Sequence, residues 1–314
     1  MAQQLVTIFG GAGFVGTTVV EHLARVGARI RVVARRPNSA LHVKPLGDVG
    51  QVQIVQGNIR DENSVRAAVR GSDMVINLVG ILYESGAQKF KAIHEEGAAA
   101  IARACAEFGV EKLVHMSAIG ADEQSPARYG QSKARGEKAV LAAFPEATII
   151  RPSVIFGARD NLFNRFASAA SLLPLLPVFS GDTKFQPVYV GDVAGVIVRA
   201  LTDDSMKGEL YELGGADILS LREMMKLAAH EAMQKVCFID VPDFIAPYKV
   251  FFLGLLPNPP ITLDQLKMLK KDNVVSDDAK GLSDLGMTPT LLEAILPTYL
   301  HQYRPRGQFA DQLS

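Results

Sequence analysis

The sequence predicts an α/β protein built on a doubly wound, parallel β-sheet. Short apolar runs alternate with helix-like stretches through the first half of the chain, and these runs lack the polar alternation of half-buried strands. A glycine-rich loop joins the first run to the first helix. Strands that are buried on both faces and connected through helices form right-handed βαβ units. We therefore expect helices on both faces of one parallel sheet.

The predicted elements follow one another regularly up to about residue 151. The strands are Leu5–Phe9, Ile30–Val33, Val52–Val55, Met74–Leu78, Lys112–Met116 and Thr148–Arg151. The helices are Phe14–Arg25, Glu62–Val69, Phe90–Glu107 and Ser132–Ala143. Beyond them the pattern predicts strands at Val188–Val190 and Glu209–Leu213 and helices at Asp192–Leu201, Ser220–Met233, Thr262–Lys271 and Thr290–Tyr299. We expect a first domain over residues 1–160 and a smaller C-terminal lobe over 161–314, with segments near 187–215 returning to the first domain.

The composition limits the kind of partner and the compartment. Lysine and arginine together number 33, as do aspartate and glutamate, and this balance argues against nucleic acid as a partner. The two cysteines, Cys105 and Cys237, form no metal or disulfide motif, so we predict no metal site. The N-terminus lacks the pattern of a secretory signal, and no apolar stretch reaches the roughly 18 residues of a membrane span. We expect a cytoplasmic protein, and attachment to the inner face of a membrane stays open.

The loop Gly10-Gly11-Ala12-Gly13-Phe14-Val15-Gly16 lies between the first strand and the first helix. In such a loop one glycine permits a tight turn, one lets the backbone approach a pyrophosphate, and one lets the helix pack against the sheet. The helix N-terminus adds positive potential for the phosphates. The spacing of Gly10, Gly13 and Gly16 therefore predicts a dinucleotide-binding loop, to which Phe14 and Val15 contribute.

The second predicted strand is followed by Arg35 and Arg36. Sites that select NAD(H) usually have an acidic residue here, which accepts a hydrogen bond from the ribose 2′-hydroxyl. Guanidinium groups instead suit a 2′-phosphate, which they bind in a bidentate manner. The sequence favours NADP(H) over NAD(H), with solvated surface arginines as the alternative interpretation.

Tyr129 and Lys133 are four residues apart, so a helix places them on one face. We expect the Lys133 ammonium to lower the pKa of the Tyr129 phenol toward neutral pH. Such a tyrosine can exchange a proton with a carbonyl or alcohol oxygen. Ser117 directly follows the predicted strand Lys112–Met116 and can hold the same oxygen. These three residues are the predicted catalytic set at a nicotinamide. Tyr129 and Lys133 are also predicted to bind the cofactor, Lys133 through the ribose hydroxyls.

With these motifs the chain resembles the short-chain dehydrogenase/reductase superfamily, in its extended or atypical branch. Within that branch it is similar to the nucleotide-binding accessory subunits of respiratory complex I and their bacterial relatives. The segments that carry this resemblance are Gly10–Gly16, Asn77–Glu84, Val114–Ser117, Tyr129–Lys133, Arg151–Gly157, Gln186–Val193, Lys271–Ser276 and Tyr299–Arg304.

The resemblance implies roles for further residues. Asn58 and Ile59 are expected near the adenine, and Leu78, Val79 and Gly80 near the ribose and phosphates. Pro152, Ser153 and Val154 are expected near the nicotinamide. One departure concerns His94, which stands in His94-x-x-Gly97 where active extended members usually carry asparagine. We interpret His94 as a packed or solvated histidine rather than a catalyst.

The segment Val241–Pro260 is strongly apolar and is bracketed by prolines. It is too short to span a membrane. An interfacial position, docking on a membrane-bound partner, closure over a hydrophobic small molecule and ordinary core all remain open interpretations.

Two classes of function follow from these observations. In one, the protein binds NADP(H) structurally, resembles the complex I accessory subunit and has complex I or another membrane-bound assembly as its partner. In the other, it is an active NADP(H)-dependent oxidoreductase or epimerase, with quinone or isoprenoid metabolism as a narrower version. The set Ser117, Tyr129 and Lys133 favours an enzyme, and His94 favours the accessory role.

Overall fold

A computed structural model describes residues 4–242, 244–253, 261–305 and 307. The chain divides into two compact units. The first unit comprises the described residues of Met1–Pro152, Val190–Leu213 and Asp277–Leu285, and the second comprises those of Ser153–Tyr189, Gly214–Ser276 and Gly286–Ser314.

The strands are short, as expected for a domain in which helices connect them. They are β1 (Leu5–Phe9), β2 (Arg29–Ala34), β3 (Val52–Gln56), β4 (Met74–Asn77), β5 (Lys112–Met116), β6 (Thr148–Pro152), β7 (Ile155–Phe156), β8 (Leu175–Val178), β9 (Lys184–Phe185), β10 (Val188–Tyr189), β11 (Leu210–Leu213), β12 (Leu219–Ser220) and β13 (Cys237–Asp240).

The α-helices follow the predicted positions closely in the first half of the chain. They are α1 (Phe14–Arg25), α2 (Glu62–Val69), α3 (Gly97–Glu107), α4 (Arg128–Ala143), α5 (Phe163–Leu172), α6 (Val190–Ala200), α7 (Leu221–Glu231), α8 (Ala246–Leu253), α9 (Leu263–Met268) and α10 (Leu292–Leu300). A π-helix at Lys91–Glu96 runs directly into α3.

The first unit contains a parallel sheet with the strand order β11-β6-β5-β4-β1-β2-β3. Val6 of β1 pairs with Ile30 of β2 on one side and with Met74 of β4 on the other. The order of the strands thus reverses at β1, and in such sheets a crevice opens at this switch point beyond the carboxyl ends of the strands. The predicted doubly wound α/β fold is confirmed.

Several predicted boundaries differ from the structure. The helix predicted at Ser132–Ala143 begins at Arg128, so Tyr129 lies in its first turn. The helix predicted at Phe90–Glu107 starts instead as the π-helix, in which the Gly97 N–H donates to the Ala92 carbonyl. Val190 begins α6 rather than ending a strand, because only Val188 and Tyr189 pair with β7.

The second unit has its own core, in which α5, α7 and α10 pack around Phe156, Phe163, Met224 and Leu296. Inside this unit the Tyr299 hydroxyl donates a buried hydrogen bond of 2.5 Å to the Asp160 carboxylate.

The apolar segment predicted at Val241–Pro260 is partly core. Val241, Ala246 and Val250 are buried in a small cluster, whereas the α8 side chains Tyr248 and Phe251 are exposed. Residues 254–260 of the segment lie outside the described residues, so its role stays a prediction. Within the described ranges, no helix is both long and apolar enough to cross a bilayer.

Candidate dinucleotide-binding site

The glycine loop between β1 and α1 folds back tightly on the helix that it precedes. Gly10 has a φ of 83°, a conformation that favours glycine, and its carbonyl accepts a hydrogen bond of 3.0 Å from the Gly13 N–H. A Cβ atom at Gly16 would lie 2.3 Å from the Gly10 carbonyl oxygen. Only glycine therefore allows the first turn of α1 to lie against this loop.

The N-terminus of α1 has no side-chain cap. Its N-cap residue is Gly13, which has no side chain that could accept from the first N–H groups. The first turn also contains no acidic residue. The first N–H groups of the helix have no intrahelical acceptor, and the helix dipole makes the potential there positive. Together with the close approach at Gly16, this end of α1 fits the pyrophosphate of a dinucleotide.

A cavity of about 1040 Å³ lies at the carboxyl ends of β1 to β4, where the strand order reverses. Its lining includes many of the residues predicted to bind the cofactor: Gly10, Gly13, Arg35, Arg36, Asn58, Ile59, Leu78, Val79 and Gly80. The first unit thus brings the glycine loop, the arginine pair and the loop after β4 to one cavity. Their contacts with a cofactor stay predictions.

Arg35 and Arg36 follow the last residue of β2 and are exposed along this cavity. Neither has an ion pair with a carboxylate in the described part of the chain, so both guanidinium groups remain available for an anion. Asp61 also lines the cavity, but its carboxylate caps α2 by accepting from the Asn63 and Ser64 N–H groups. The cation pair therefore dominates the end of the cavity formed by β2.

Sequence reasoning missed other residues of the lining, among them Ser39, Gln56, Gly57, Arg60 and Gln88. One of them carries a signal that pattern analysis can use. Gly57 directly follows β3, and a Cβ atom there would lie 2.3 Å from Cγ1 of Val33 on the neighbouring strand. A glycine immediately after a parallel strand indicates a close approach of this kind.

The loop after β4 is held by two buried polar side chains. The Val79 N–H donates to Oδ1 of Asn77 at 3.1 Å, and Nδ2 of Asn77 lies 3.1 Å from Nδ1 of His115. Asn77 and His115 are both almost fully buried. The Asn77 Nδ2 group donates this hydrogen bond, so Nδ1 of His115 is the acceptor. Burial lowers the pKa of His115 well below its usual value.

The predicted catalytic residues lie at the carboxyl end of β5 and in the first turns of α4. Nζ of Lys133 donates a hydrogen bond of 2.8 Å to the Met116 carbonyl, which directly precedes Ser117. Ser117 is 4% exposed, and its Oγ has no hydrogen-bond partner in the described residues. Such buried unpaired hydroxyls are uncommon in native proteins, and a bound ligand is one explanation. The structure thus brings Lys133 to the strand end that carries Ser117.

The predicted lowering of the Tyr129 pKa is wrong for the cofactor-free protein. Burial of the phenol raises the pKa of Tyr129 to about 12, since removing it from water disfavours the phenolate. The Lys133 ammonium is itself bound to the Met116 carbonyl rather than to the phenol. At this pKa the Tyr129 phenol is neutral at pH 7, the form that can donate a proton or a hydrogen bond.

Lys133 is buried on the same helix. Burial lowers its pKa to about 8, and the nearby Glu137 carboxylate partly opposes this effect. The folded pKa is lower than the unfolded value of 10.5, so the charged form weakens folding at neutral pH. Between pH 8 and 10.5 the unfolded chain binds more protons, and stability rises with pH through this window.

Lys133→Met is therefore expected to stabilise the cofactor-free protein. The free energy of unfolding at pH 7 is expected to rise by about 2 kcal/mol. The variant no longer buries a charge, but it also loses the hydrogen bond to the Met116 carbonyl, which reduces the gain. At pH 9.5 the gain falls below about 1 kcal/mol, because folded wild-type Lys133 is then neutral. Urea unfolding at both pH values measures this difference. Lys138→Met, at an exposed position of α4, serves as the control, and a less stable Lys133→Met variant at pH 7 would contradict this account.

The remaining predicted cofactor residues lie outside the lining of the cavity. Phe14, Val15 and Gly16 belong to the first turn of α1, where Val15 is 7% exposed and packs inward. Pro152 ends β6, and its carbonyl accepts from the Ile119 N–H. Ser153 and Val154 belong to the second unit, where the Ser153 hydroxyl donates to Asn273. The roles of these residues toward a cofactor stay predictions.

The reversed strand order, the glycine loop and the cavity define a dinucleotide-binding protein of the Rossmann type. The chain belongs to the NAD dependent epimerase/dehydratase family, whose model matches residues 6–214. The predicted membership in the extended short-chain dehydrogenase/reductase branch is thereby confirmed.

Two relatives share sequence with the chain, and one solved structure shares its fold. It is 37% identical to the mitochondrial NADH dehydrogenase [ubiquinone] 1 alpha subcomplex subunit 9 of Arabidopsis thaliana, in an alignment that covers 96% of this chain and 78% of that protein. It is 32% identical to a ceramide reductase of Caulobacter vibrioides, in an alignment that covers 77% of this chain and 75% of that protein. The fold matches the dTDP-glucose 4,6-dehydratase DesIV of Streptomyces venezuelae, determined with NAD bound, at a TM-score of 0.72 and 20% identity, over 98% of each chain.

Proposed function

We propose that this protein binds NADP(H) tightly as a structural ligand and acts as an accessory subunit of respiratory complex I or a related membrane-bound assembly. The observation that carries the cofactor assignment is the cavity whose end at β2 presents Arg35 and Arg36, while Asp61, the acidic residue in its described lining, caps α2. The partner assignment is supported by the relatives that are subunits of NADH dehydrogenase.

The residues present fit this cofactor. The glycine loop and the uncapped N-terminus of α1 would hold the pyrophosphate. Arg35 and Arg36 would bind a 2′-phosphate, and Asn58 and Ile59 would lie near the adenine. NADPH, when bound, carries a transferable hydride on its nicotinamide ring. Lys133 and Ser117 would then lie near the nicotinamide end of the cofactor, and the Ser117 hydroxyl, which has no partner among the described residues, could hydrogen-bond there.

The chemistry of the Tyr129 region supports a cofactor that is retained rather than turned over. Tyr129 is a neutral phenol with a raised pKa, and Lys133 is engaged by a backbone carbonyl. The Tyr129 phenol is not tuned for rapid proton exchange at pH 7, since general acid–base catalysis is most efficient when the pKa lies near the working pH. A ligand that binds only the folded state stabilises it whether or not it reacts.

Tyr129→Phe is accordingly expected to retain NADPH as well as the wild-type protein does. Both proteins should show the same rise in unfolding temperature with NADPH and the same slow exchange of the bound nucleotide. The measurement displaces bound NADPH with an excess of NADP⁺, which does not fluoresce, and follows the change in NADPH fluorescence with time. A Tyr129→Phe variant that loses the nucleotide at least tenfold faster would contradict this expectation and show that the Tyr129 hydroxyl helps to hold the nucleotide.

The partner is tested by purification from gently solubilised membranes of the source cells. We expect respiratory-chain subunits to copurify with the tagged protein, which then lies at the inner face of the membrane. Recovery of the tagged protein without any such subunit would overturn the accessory role and leave the cofactor assignment intact.

A reductase that acts on a hydrophobic carbonyl substrate is the second candidate function. It is supported by the ceramide reductase among the relatives and by the set Ser117, Tyr129 and Lys133. Deuterium transfer from C4-labelled NADPH into a ceramide-like or quinone substrate would establish it. In that case Tyr129→Phe should lower the rate about 100-fold or more, the usual size of a lost general acid.

A further inference from the structure

His94 lies in the π-helix at Lys91–Glu96, between the loop after β4 and helix α4. It is 2% exposed, so it is packed rather than solvated. π-Helices are rare and often occur at functional sites, where they shift a side chain out of the regular helical position. A close backbone approach accompanies this one: a Cβ atom at Gly136 of α4 would lie 2.1 Å from the His94 carbonyl oxygen.

Both ring nitrogens of His94 are engaged, and their partners determine which of them carries the proton. The Ile81 N–H lies 3.0 Å from Nε2, so Nε2 must accept. Nδ1 lies 2.8 Å from the Ser132 hydroxyl, which in turn donates to the Tyr129 carbonyl at 2.8 Å. Nδ1 therefore carries the proton and donates to Ser132. A continuous chain of hydrogen bonds runs from the loop after β4 to the first turn of α4.

The ring of His94 also contacts the Tyr129 side chain directly. The two ring centroids are 5.5 Å apart with the planes at 89°, an edge-to-face contact. Phe90 stacks on the imidazole at 5.4 Å and 26°, and its ring also meets the Tyr129 ring edge-on at 6.0 Å. The imidazole is thus packed against two aromatic rings that contact each other, and it is held between two hydrogen-bond partners.

The His94 imidazole stays neutral. Burial and the neighbouring Lys133 ammonium lower the pKa of His94 to about 3. With both nitrogens occupied, the ring has no position from which to exchange a proton with a ligand. A role for His94 must therefore act through the groups that it holds.

We propose that His94 is a positioning residue that fixes the cofactor-lining loop Val79–Ile81 relative to Tyr129. The loop side of this link is the Ile81 N–H, and Val79, Gly80 and Ile81 all line the cavity. The helix side is Ser132, whose hydroxyl holds the turn that carries Tyr129. This inference rests on the proposed function in one respect, namely that the cavity binds NADP(H).

The hydrogen-bonding part of the inference is tested without a cofactor. Two-bond ¹H–¹⁵N spectra of the free protein at pH 7 should contain a neutral histidine that is protonated at Nδ1 and disappears in His94→Gln. This is the less common tautomer of a free imidazole, so a merely packed ring would not require it. An Nε2-protonated ring or an imidazolium at this position would overturn the inference.

The positioning part is tested by NADPH titration of matched variants. Glutamine places its amide oxygen where Nε2 lies and can accept from Ile81, whereas asparagine reaches only as far as Nδ1 and leucine cannot accept. We expect His94→Gln to bind NADPH within about threefold of wild type, and His94→Asn and His94→Leu to bind about five- to tenfold more weakly. His230→Gln, an exposed histidine of α7, is the control.

The outcomes separate this inference from the proposed function. Rescue by glutamine alone supports the hydrogen bond to Ile81, and equal affinities of all three variants would overturn the positioning role. Unfolding temperatures without NADPH show whether a variant is merely destabilised. If wild type itself binds no NADPH, the proposed function fails, and the ¹⁵N spectra still decide whether His94 forms the link.

Discussion

The double variant Arg35→Ala/Arg36→Ala is expected to bind NADPH about 100-fold more weakly than wild type while its affinity for NADH changes less than about threefold. Both guanidinium groups lie on the cavity at the end of β2, and neither has a carboxylate partner among the residues that the structure describes. The 2′-phosphate is the only group that distinguishes the two nucleotides, and paired guanidinium groups bind it through charge-assisted hydrogen bonds. Fluorescence titration with each nucleotide measures both affinities.

Arg29→Ala provides the matched control for this experiment. Arg29 is exposed on the same strand, β2, but at its opposite end. It should leave both affinities unchanged, and higher salt should weaken NADPH binding to wild type more than to the double variant. Equal losses for NADPH and NADH in the double variant would show that Arg35 and Arg36 do not recognise the 2′-phosphate.

Gly16→Ala is expected to abolish binding of either nucleotide at millimolar concentration. The added methyl group would lie 2.3 Å from the Gly10 carbonyl oxygen and 2.6 Å from Cα of Gly11, so the loop must move away from α1. Backbone atoms cannot yield as a flexible side chain would, and the phosphate-binding geometry is lost with them. Calorimetry with NADPH and with NADH measures the effect, and circular dichroism shows whether the fold remains.

Thr17→Ser is the control for Gly16→Ala. It lies in the same turn of α1, and serine keeps the hydroxyl that donates to the Gly13 carbonyl. Its nucleotide affinity should stay within about twofold of wild type. A folded Gly16→Ala variant that binds NADPH normally would mean that the nucleotide does not approach the backbone of this loop.

The fold was predictable because its signals are local. The apolar runs at Leu5–Phe9 and Lys112–Met116 and the helices at Phe14–Arg25 and Glu62–Val69 have the predicted bounds. Buried parallel strands show continuous apolar runs, and the glycine loop marks the first strand–helix turn. Chain connectivity then leaves few topologies open to a sheet of right-handed βαβ units.

The electrostatics of the site could not be predicted in the same way. Tyr129 and Lys133 share a helix face as expected, but burial, which depends on residues distant in sequence, raises the pKa of Tyr129. The bond from Lys133 to the Met116 carbonyl joins helix α4 to strand β5 and has no sequence signature.

The hydrogen-bonded link through His94 could not be predicted from the sequence either. It depends on a π-helix, for which the sequence pattern predicted an ordinary helix, and on the approach that Gly136 permits. Glycines inside predicted helices, such as Gly97 and Gly136, were the available sign that two backbones come close there.

The identity of the nucleotide released by the purified protein on denaturation tests the central claim most directly. Protein purified without added nucleotide should release NADP(H) in a stoichiometric amount, detected by mass spectrometry, and the Arg35→Ala/Arg36→Ala variant should release little or none. Release of NAD(H) in place of NADP(H), or of no nucleotide from folded wild-type protein that also fails to bind NADPH, would contradict the account.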